Sequence, residues 1–280
     1  MGFQMYIARC TGWCASILVV LSISFAGFNN LQAAPLDLKV EKAFVLKELS
    51  AEGQKDISEF LDAIRTRAAD IIVTQNADHR AEIIAGIMKV ADLGYASKFK
   101  EANTLLLGLE KKYPRESIIM WQLSANYFFI ATRIDGADAE IKANNLRAGM
   151  IRSKKCLELL PNSPGCRLAY AALYGTLGLV EGIFDTISSM EEVHDSLHQA
   201  LELSRTQNFP MAPRGITSHH VALGAIAEFY RLVPDWWIFK VMAGVRGDKE
   251  KSWSYAKQIP VKNLGVANIV VRSALCWGGA

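Results

Sequence analysis

Proline and charge of one sign are both scarce in this sequence. Eight of its 280 residues are proline, and none falls between Pro35 and Pro114. Folds rich in strands need turn residues roughly every 8–12 residues, so this gap argues against an all-β fold. The chain has 31 Lys and Arg residues against 28 Asp and Glu residues, which gives a net charge of +3. Without a strong basic excess, no nucleic-acid partner is predicted.

The common sequence motifs of catalysis and cofactor binding are also missing. The chain has no Gly-x-Ser-x-Gly nucleophile elbow, no Gly-x-x-x-x-Gly-Lys phosphate loop and no Gly-x-Gly-x-x-Gly dinucleotide motif. Apolar residues make up 51% of the chain, which is enough to build a sizeable core. We therefore expect a folded protein, and these motifs identify no reaction and no cofactor.

The N-terminus has the pattern of a secretory signal peptide. Arg9 precedes an uncharged run whose apolar centre, residues 17–28, is short for a membrane span of about 20 residues. Small residues at Ala33 and Ala34 suit cleavage after either of them. We therefore predict a secretory signal peptide over residues 1–34 that is removed on export. The alternative is an uncleaved anchor in the inner membrane, because the whole uncharged run could just span a bilayer.

The remaining chain has helical periodicity. From Ile57 to Ile72, apolar residues recur every three or four positions, while charged residues occupy the other face. A second helix is predicted to start near Asn76 or Asp78 and to end at Gly94, and further helices follow in pairs. The other predicted helical segments are 95–112, 117–130, 143–160, 167–180, 190–203, 218–232, 248–258 and 261–275.

These pairs recur at a nearly constant interval. Pro114 and Pro161 are 47 residues apart, and the Leu-Glu-Leu segments that begin at Leu157 and Leu201 are 44 apart. Intervals of this size are typical of stacked helical hairpins, each of which covers the apolar face of its neighbour. We predict an all-α fold, an array of helical hairpins of the tetratricopeptide type, as a single domain over residues 35–280.

Two cysteines flank the turn of one predicted hairpin. Cys156 and Cys166 lie five residues before and after Pro161, so they would face each other across the turn. A disulfide between them is reasonable in an oxidising compartment. The alternative is two small buried residues in the same hairpin. The role of Cys276 stays open.

Two histidines have the spacing of metal ligands. His194 and His198 are four residues apart and share one face of a predicted helix. No recognisable third ligand accompanies them, so we favour an ordinary helix surface over a metal site, and no metal is predicted.

Aromatic residues suggest where a ligand would bind. Tyr170 and Tyr174 share one helix face, and a dense aromatic group follows near Pro234. Facing helices of stacked hairpins form a concave wall, so we predict that these rings border one apolar cavity or channel. The alternatives are that the aromatic residues seal one hairpin against the next, or that those near Pro234 form a ridge that binds a partner. The predicted ligand-binding residues are Tyr170, Tyr174, Phe184, Tyr230, Trp236 and Trp237.

Four further sequence elements are a Lys-Cys-Leu-Glu-Leu-Leu-Pro segment, a helix rich in Tyr and Gly, a Leu-Gly-Ala segment leading to Phe-Tyr-Arg-Leu-Val-Pro, and an Arg-Gly-Asp-Lys-Glu-Lys segment. In this order they resemble the T-component family of TRAP transporters. The sequence departs from the family at Arg246, where members usually have Gly, and at Ser252, where they usually have Ala. In order, the elements occupy residues 155–161, 168–175, 223–234 and 246–251.

The resemblance implies a non-enzymatic accessory protein of the bacterial periplasm, with tetratricopeptide-like repeats and no cofactor. Such a protein associates with the substrate-binding protein of a transporter and holds or passes an apolar ligand through an internal channel. One alternative is a general helical-repeat scaffold for envelope proteins, and a less favoured one is a metal-dependent enzyme that uses His194 and His198. The transported solute and a homo-oligomeric state stay open.

Overall fold

The computed structural model describes residues 51–134, 138–182, 187–212 and 215–260. Within these ranges the chain forms ten α-helices, one 3-10 turn at Ile187–Ser189 and one small β-hairpin. The helices are α1 (Ala51–Ile71), α2 (Ala77–Tyr95), α3 (Phe99–Lys112), α4 (Ser117–Thr132), α5 (Ala139–Leu159), α6 (Pro164–Glu181), α7 (Met190–Thr206), α8 (Ser218–Leu232), α9 (Trp237–Ala243) and α10 (Lys249–Ala256).

The prediction of an all-α array of helical hairpins is confirmed. From α1 to α8, each helix packs against the next along the chain, and α10 packs against α8. The alternate helices α4, α6 and α8 also contact one another. This second set of contacts stacks the hairpins side by side, as in helical-repeat proteins, and places α4, α6 and α8 in one row.

Helix starts follow local capping chemistry. The side chain of Asn76 accepts a hydrogen bond from the backbone N–H of His79, and Asp248 accepts one from Lys251. Ser163 caps α6, whose first residue is Pro164. These side chains satisfy backbone N–H groups that have no partner inside the helix, so they define where each helix begins.

Helix α4 lies inside the array. Its buried side chains surround the helix on every side and include Ile119, Trp121, Leu123 and Phe128. A helix that is apolar all round must be covered on all sides. The neighbours α3, α5 and α6 supply this cover.

Two short elements depart from the predicted pattern. The antiparallel strands β1 (Pro210–Ala212) and β2 (Ile216–Thr217) lie between the predicted helices 190–203 and 218–232. Pro210 is tolerated because it is the first residue of its strand. Helix α9 lies between the predicted helices 218–232 and 248–258, where no helix is predicted. The predicted signal peptide and the helix at 261–275 lie outside the described residues.

Candidate functional site

An apolar cavity lies between helices α6, α7 and α8. Its volume is about 100 Å³. Helix α6 contributes one wall, the start of α7 a second, and one face of α8 a third. The lining residues are Leu168, Ala171, Ala172, Tyr174, Gly175, Gly178, Leu179, Ser189, Met190, Val193, Leu197, Val221, Ala225, Glu228, Phe229, Leu232 and Val233.

Small residues on α6 explain why the cavity stays open. Ala171, Ala172, Gly175 and Gly178 all line it. A Cβ atom built on Gly175 would meet no other atom within 4 Å. Since neighbouring side chains do not reach this point, the helix leaves a volume that larger residues would fill.

Among the described residues that line the cavity, Glu228 is the one with a charged side chain. It is fully buried, and its Oε2 accepts hydrogen bonds from Nη2 and, at 2.9 Å, from Nε of Arg231. The side chain of Arg231 is 6% exposed, so the ion pair is buried as a unit. The other oxygen, Oε1 of Glu228, is buried and accepts no hydrogen bond from the described residues.

Tyr170 and Tyr174 lie together on α6. Their ring centroids are 4.9 Å apart, and Nζ of Lys154 lies 5.6 Å from the centroid of Tyr174. Tyr174 lines the cavity, whereas Tyr170 is buried beside it. Burial raises the pKa of the Tyr170 phenol. The structure therefore brings the pair together but places one ring of the two on the cavity wall.

Tyr230 belongs to a separate polar cluster with the two histidines of α7. Its hydroxyl lies 2.9 Å from Nε2 of His194 and 3.3 Å from Nε2 of His198. The hydroxyl can donate to one imidazole and accept from the other. Burial and the neighbouring His194 lower the pKa of His198, while burial raises the pKa of Tyr230.

This cluster does not have the composition of a metal site. Among the residues that the structure describes, no group of three His, Cys, Asp or Glu side chains is placed to hold a metal ion. The rings of His194 and His198 instead pack 4.4 Å apart and share the hydroxyl of Tyr230. The i, i+4 spacing therefore places both imidazoles within hydrogen-bond distance of the Tyr230 hydroxyl.

The two adjacent tryptophans lie on the surface. Trp236 is 47% exposed and Trp237 is 71% exposed, and neither lines the cavity. Helix α9 instead anchors itself with Phe239, which is fully buried. Of the six predicted ligand-binding residues, Tyr174 therefore reaches the cavity, Tyr170 and Tyr230 lie in the adjoining interior, and Phe184 is outside the described residues.

Sequence reasoning did not select Glu228 or Gly175. A signal for Glu228 exists in the sequence, because it follows Val221 and Ala225 on the apolar stripe of α8 and precedes Leu232. A charged residue on an apolar stripe indicates a buried polar contact or a site. No comparable signal exists for Gly175, because a helical glycine can equally be exposed.

The predicted cysteine pair lies at the α5–α6 turn. In the structure Cys156 and Cys166 are paired as a disulfide, with their Cα atoms 5.7 Å apart. This separation falls in the range that disulfides adopt. The bond links the last turn of α5 to the first turn of α6 and thereby fixes one end of the cavity-lining helix. Its formation in the cell stays a prediction.

The fold and the cavity define a helical-hairpin repeat protein with an apolar internal site. Residues 87–216, slightly less than half of the chain, match a family model described as regulator of microtubule dynamics protein 1-3. The match runs from within α2 to the second strand and covers most of the stacked hairpins. No curated protein matches the chain.

The resemblance to the TRAP transporter T-component family is wrong, since the matching family is a different one. The segments that suggested it have roles general to helical hairpins. The Leu-Glu-Leu-Leu-Pro segment closes α5, while Gly247 and Asp248 form a tight turn and the cap of α10. Within the described residues, no helix combines the length and apolar character needed to cross a bilayer.

Proposed function

We propose that this protein is a non-enzymatic helical-repeat binding protein that takes an apolar ligand into the cavity between α6, α7 and α8. The cavity itself carries the proposal. Its wall is apolar, it lies inside the hairpin array, and the small residues of α6 keep it unfilled. Unfilled apolar space lowers the free energy of unfolding, so a cavity that persists supports a function for that space.

The cavity size limits what can enter. An apolar cavity of about 150 Å³ in another protein stays dry and binds benzene. A cavity of about 100 Å³ therefore suits a short alkyl chain or the end of a longer one. Each buried CH₂ group contributes about 0.8 kcal/mol to such binding.

Titration with 1-chlorohexane tests this proposal. Binding should perturb the NMR signals of the methyl groups of Leu168, Val193 and Leu197, which lie on the wall. The variant Gly175→Leu should abolish these shifts, because its side chain occupies the cavity.

Gly108→Leu is the matched control. Gly108 is also a helical glycine with no atom within 4 Å of a built Cβ, but it lies on α3 and is exposed. It should leave binding unchanged. Equal binding by wild type and Gly175→Leu, or no binding of 1-chlorohexane or of 1-hexanol to the wild type, would contradict the proposal.

The family match favours a second candidate function, that of a scaffold that regulates microtubules. The support for this candidate is the name of the matched family, whose model covers most of the stacked hairpins. Co-sedimentation of the full chain with polymerised tubulin tests it. Binding that survives in Gly175→Leu would separate a scaffold function from the ligand function, and absence of co-sedimentation would argue against this candidate.

A further inference from the structure

We propose that helix α9 is an interfacial anchor, which inserts the side chains of Trp237 and Val241 into the surface of a lipid bilayer. The proposal concerns the outer surface of the protein and is independent of the cavity between α6, α7 and α8. It follows from the exposure of apolar side chains on α9, from their arrangement around the helix and from the charges beside them.

Exposed large apolar side chains are concentrated on α9 and its N-cap. Eight such side chains are exposed among the residues that the structure describes, and five of them lie within residues 236–242. Trp237 is 71% exposed and Val241 is 72% exposed, the two largest fractions of the eight. Single exposed apolar residues are ordinary, whereas contiguous ones mark a binding surface. The five are Trp236, Trp237, Ile238, Val241 and Met242.

The helix turns its most exposed side chains away from the fold. Phe239 and Ala243 are buried and lie one turn apart, so they define the inner side of α9. With 3.6 residues per turn, Trp237 and Val241 lie on the opposite side and form an apolar ridge. A projecting ridge enters the boundary between headgroups and acyl chains without a groove of matching shape, as other amphipathic helices do in that boundary.

The chemistry of α9 fits a membrane interface. Tryptophan is enriched where headgroups meet hydrocarbon, because its ring is apolar and its N–H group finds a polar partner there. Lys240 is exposed on the flank of the ridge, and from this position its ammonium group can extend toward lipid phosphates. A ridge flanked by a cation is complementary to an apolar layer that carries anionic groups.

Acidic side chains lie at the ends of α9 and not within it. The helix itself contains no acidic residue. Asp235 precedes it and pairs with Arg246. The carboxylate of Glu191 approaches Gly244, which follows the last turn. Lys240 is therefore the charged residue that accompanies the ridge into the interface.

The sequence also supplies a reason for a bilayer to be near. The uncharged run that follows Arg9 has as its alternative interpretation an uncleaved membrane anchor. Such an anchor would raise the effective concentration of lipid around the folded domain, so that one short helix suffices for binding.

Quenching of tryptophan fluorescence by brominated lipids tests the proposal. The full chain is mixed with vesicles of phosphatidylcholine and phosphatidylglycerol that carry bromine at the headgroup end of the acyl chains, and with the same vesicles without bromine. The chain contains six tryptophans, so the readout is the part of the quenching that disappears in Trp237→Phe. This difference reports Trp237 itself, whereas total vesicle binding would include any contribution of the N-terminal run.

The Trp237 component should be quenched in the wild type. Val241→Ser should lower the ratio of inserted to free α9 by about tenfold, because one valine side chain is no longer buried in lipid. Lys240→Glu should act in the same direction, because it places an acid beside anionic headgroups. Ile141→Ser/Ile151→Ser is the matched control, since it removes two exposed apolar side chains from α5, and it should leave the quenching unchanged.

Three results would overturn the proposal. Equal quenching of the wild type and Trp237→Phe would place Trp237 outside the bilayer. An equal loss of quenching in Val241→Ser and in the α5 control would show that the effect is not specific to α9. Sedimentation equilibrium without lipid covers the remaining occupant, a second copy of this chain. Self-association that is lost in Val241→Ser, with Trp237 unquenched by vesicles, would assign the ridge to a protein interface.

Discussion

Gly247 lies directly against the carbonyl oxygen of Val233. A Cβ atom built on Gly247 would be 1.9 Å from that oxygen and 3.1 Å from the carbonyl oxygen of Tyr230. The backbone N–H of Gly247 donates to Pro234, and that of Asp248 donates to Tyr230. This contact holds the start of α10 against the end of α8, and it requires a residue without a side chain.

We therefore expect Gly247→Ala to destabilise the protein by about 1–3 kcal/mol, the usual cost of overpacking, because backbone atoms must move apart. Chemical denaturation would measure the change. Gly175→Ala is the control, since it adds a methyl group in open space within a helix. It should stabilise by about 0.5–1 kcal/mol, and equal effects of the two variants would contradict the packing argument.

The buried ion pair on α8 should show strong coupling. Glu228→Met alone leaves the guanidinium of Arg231 buried without this carboxylate, and breaking a buried pair costs about 3–5 kcal/mol. The double variant with Arg231→Met removes both charges and should be much closer to the wild type in its free energy of unfolding. A double-mutant cycle measures the coupling, and additive effects would show that the two side chains act independently.

The bond between Cys156 and Cys166 closes a short loop and should stabilise the protein by about 2–3 kcal/mol. The variant Cys156→Ala/Cys166→Ala should lose this amount relative to the oxidised wild type, and the difference should shrink under reducing conditions.

Peptide mapping of protein from its native host tests the compartment at the same time. A crosslinked pair, with a new N-terminus at Ala34 or Pro35, would agree with export to an oxidising compartment. Free thiols at both positions would contradict export and would favour a reducing compartment.

Stability should fall as the pH drops below about 6.5, the ordinary pKa of histidine. Burial lowers the pKa of His198 and of His220, so the unfolded chain binds more protons than the folded one between the lowered values and the ordinary value. The contribution of these two histidines to the free energy of unfolding is therefore fully present above pH 6.5 and is lost as the pH falls.

Denaturation at several pH values would measure this loss. His220→Gln should flatten the profile without loss of the α8 cap, because Gln can replace the N3 side chain of a capping box. His198→Gln should flatten it further. His79→Gln, at an exposed position on α2, serves as the control. If the wild type and the variant His198→Gln/His220→Gln lose the same free energy of unfolding on acidification, groups other than these two histidines control the acid transition.

The two faces of α9 should respond differently to substitution. Phe239→Ala removes a fully buried ring and should cost about 3–5 kcal/mol. Trp237→Ser and Val241→Ser change exposed side chains and should alter the free energy of unfolding by no more than about 0.5 kcal/mol each. Thermal denaturation would measure both, and a large loss from Trp237→Ser would mean that its ring packs against the fold.

The sequence by itself determined the order of the helices and most of the helices themselves, but not the short helix α9. Apolar spacing, caps such as Asn76 and Asp248, and the breaks at Pro114 and Pro161 are local properties, because backbone hydrogen bonds within a helix join residues four apart. The same local geometry placed Tyr170 beside Tyr174 and Cys156 opposite Cys166. The tertiary structure alone decided which helix faces meet. It turned Trp236 and Trp237 outward, left space beside Gly175 and buried Glu228 against Arg231, because these outcomes depend on how side chains from different helices fill the volume between them.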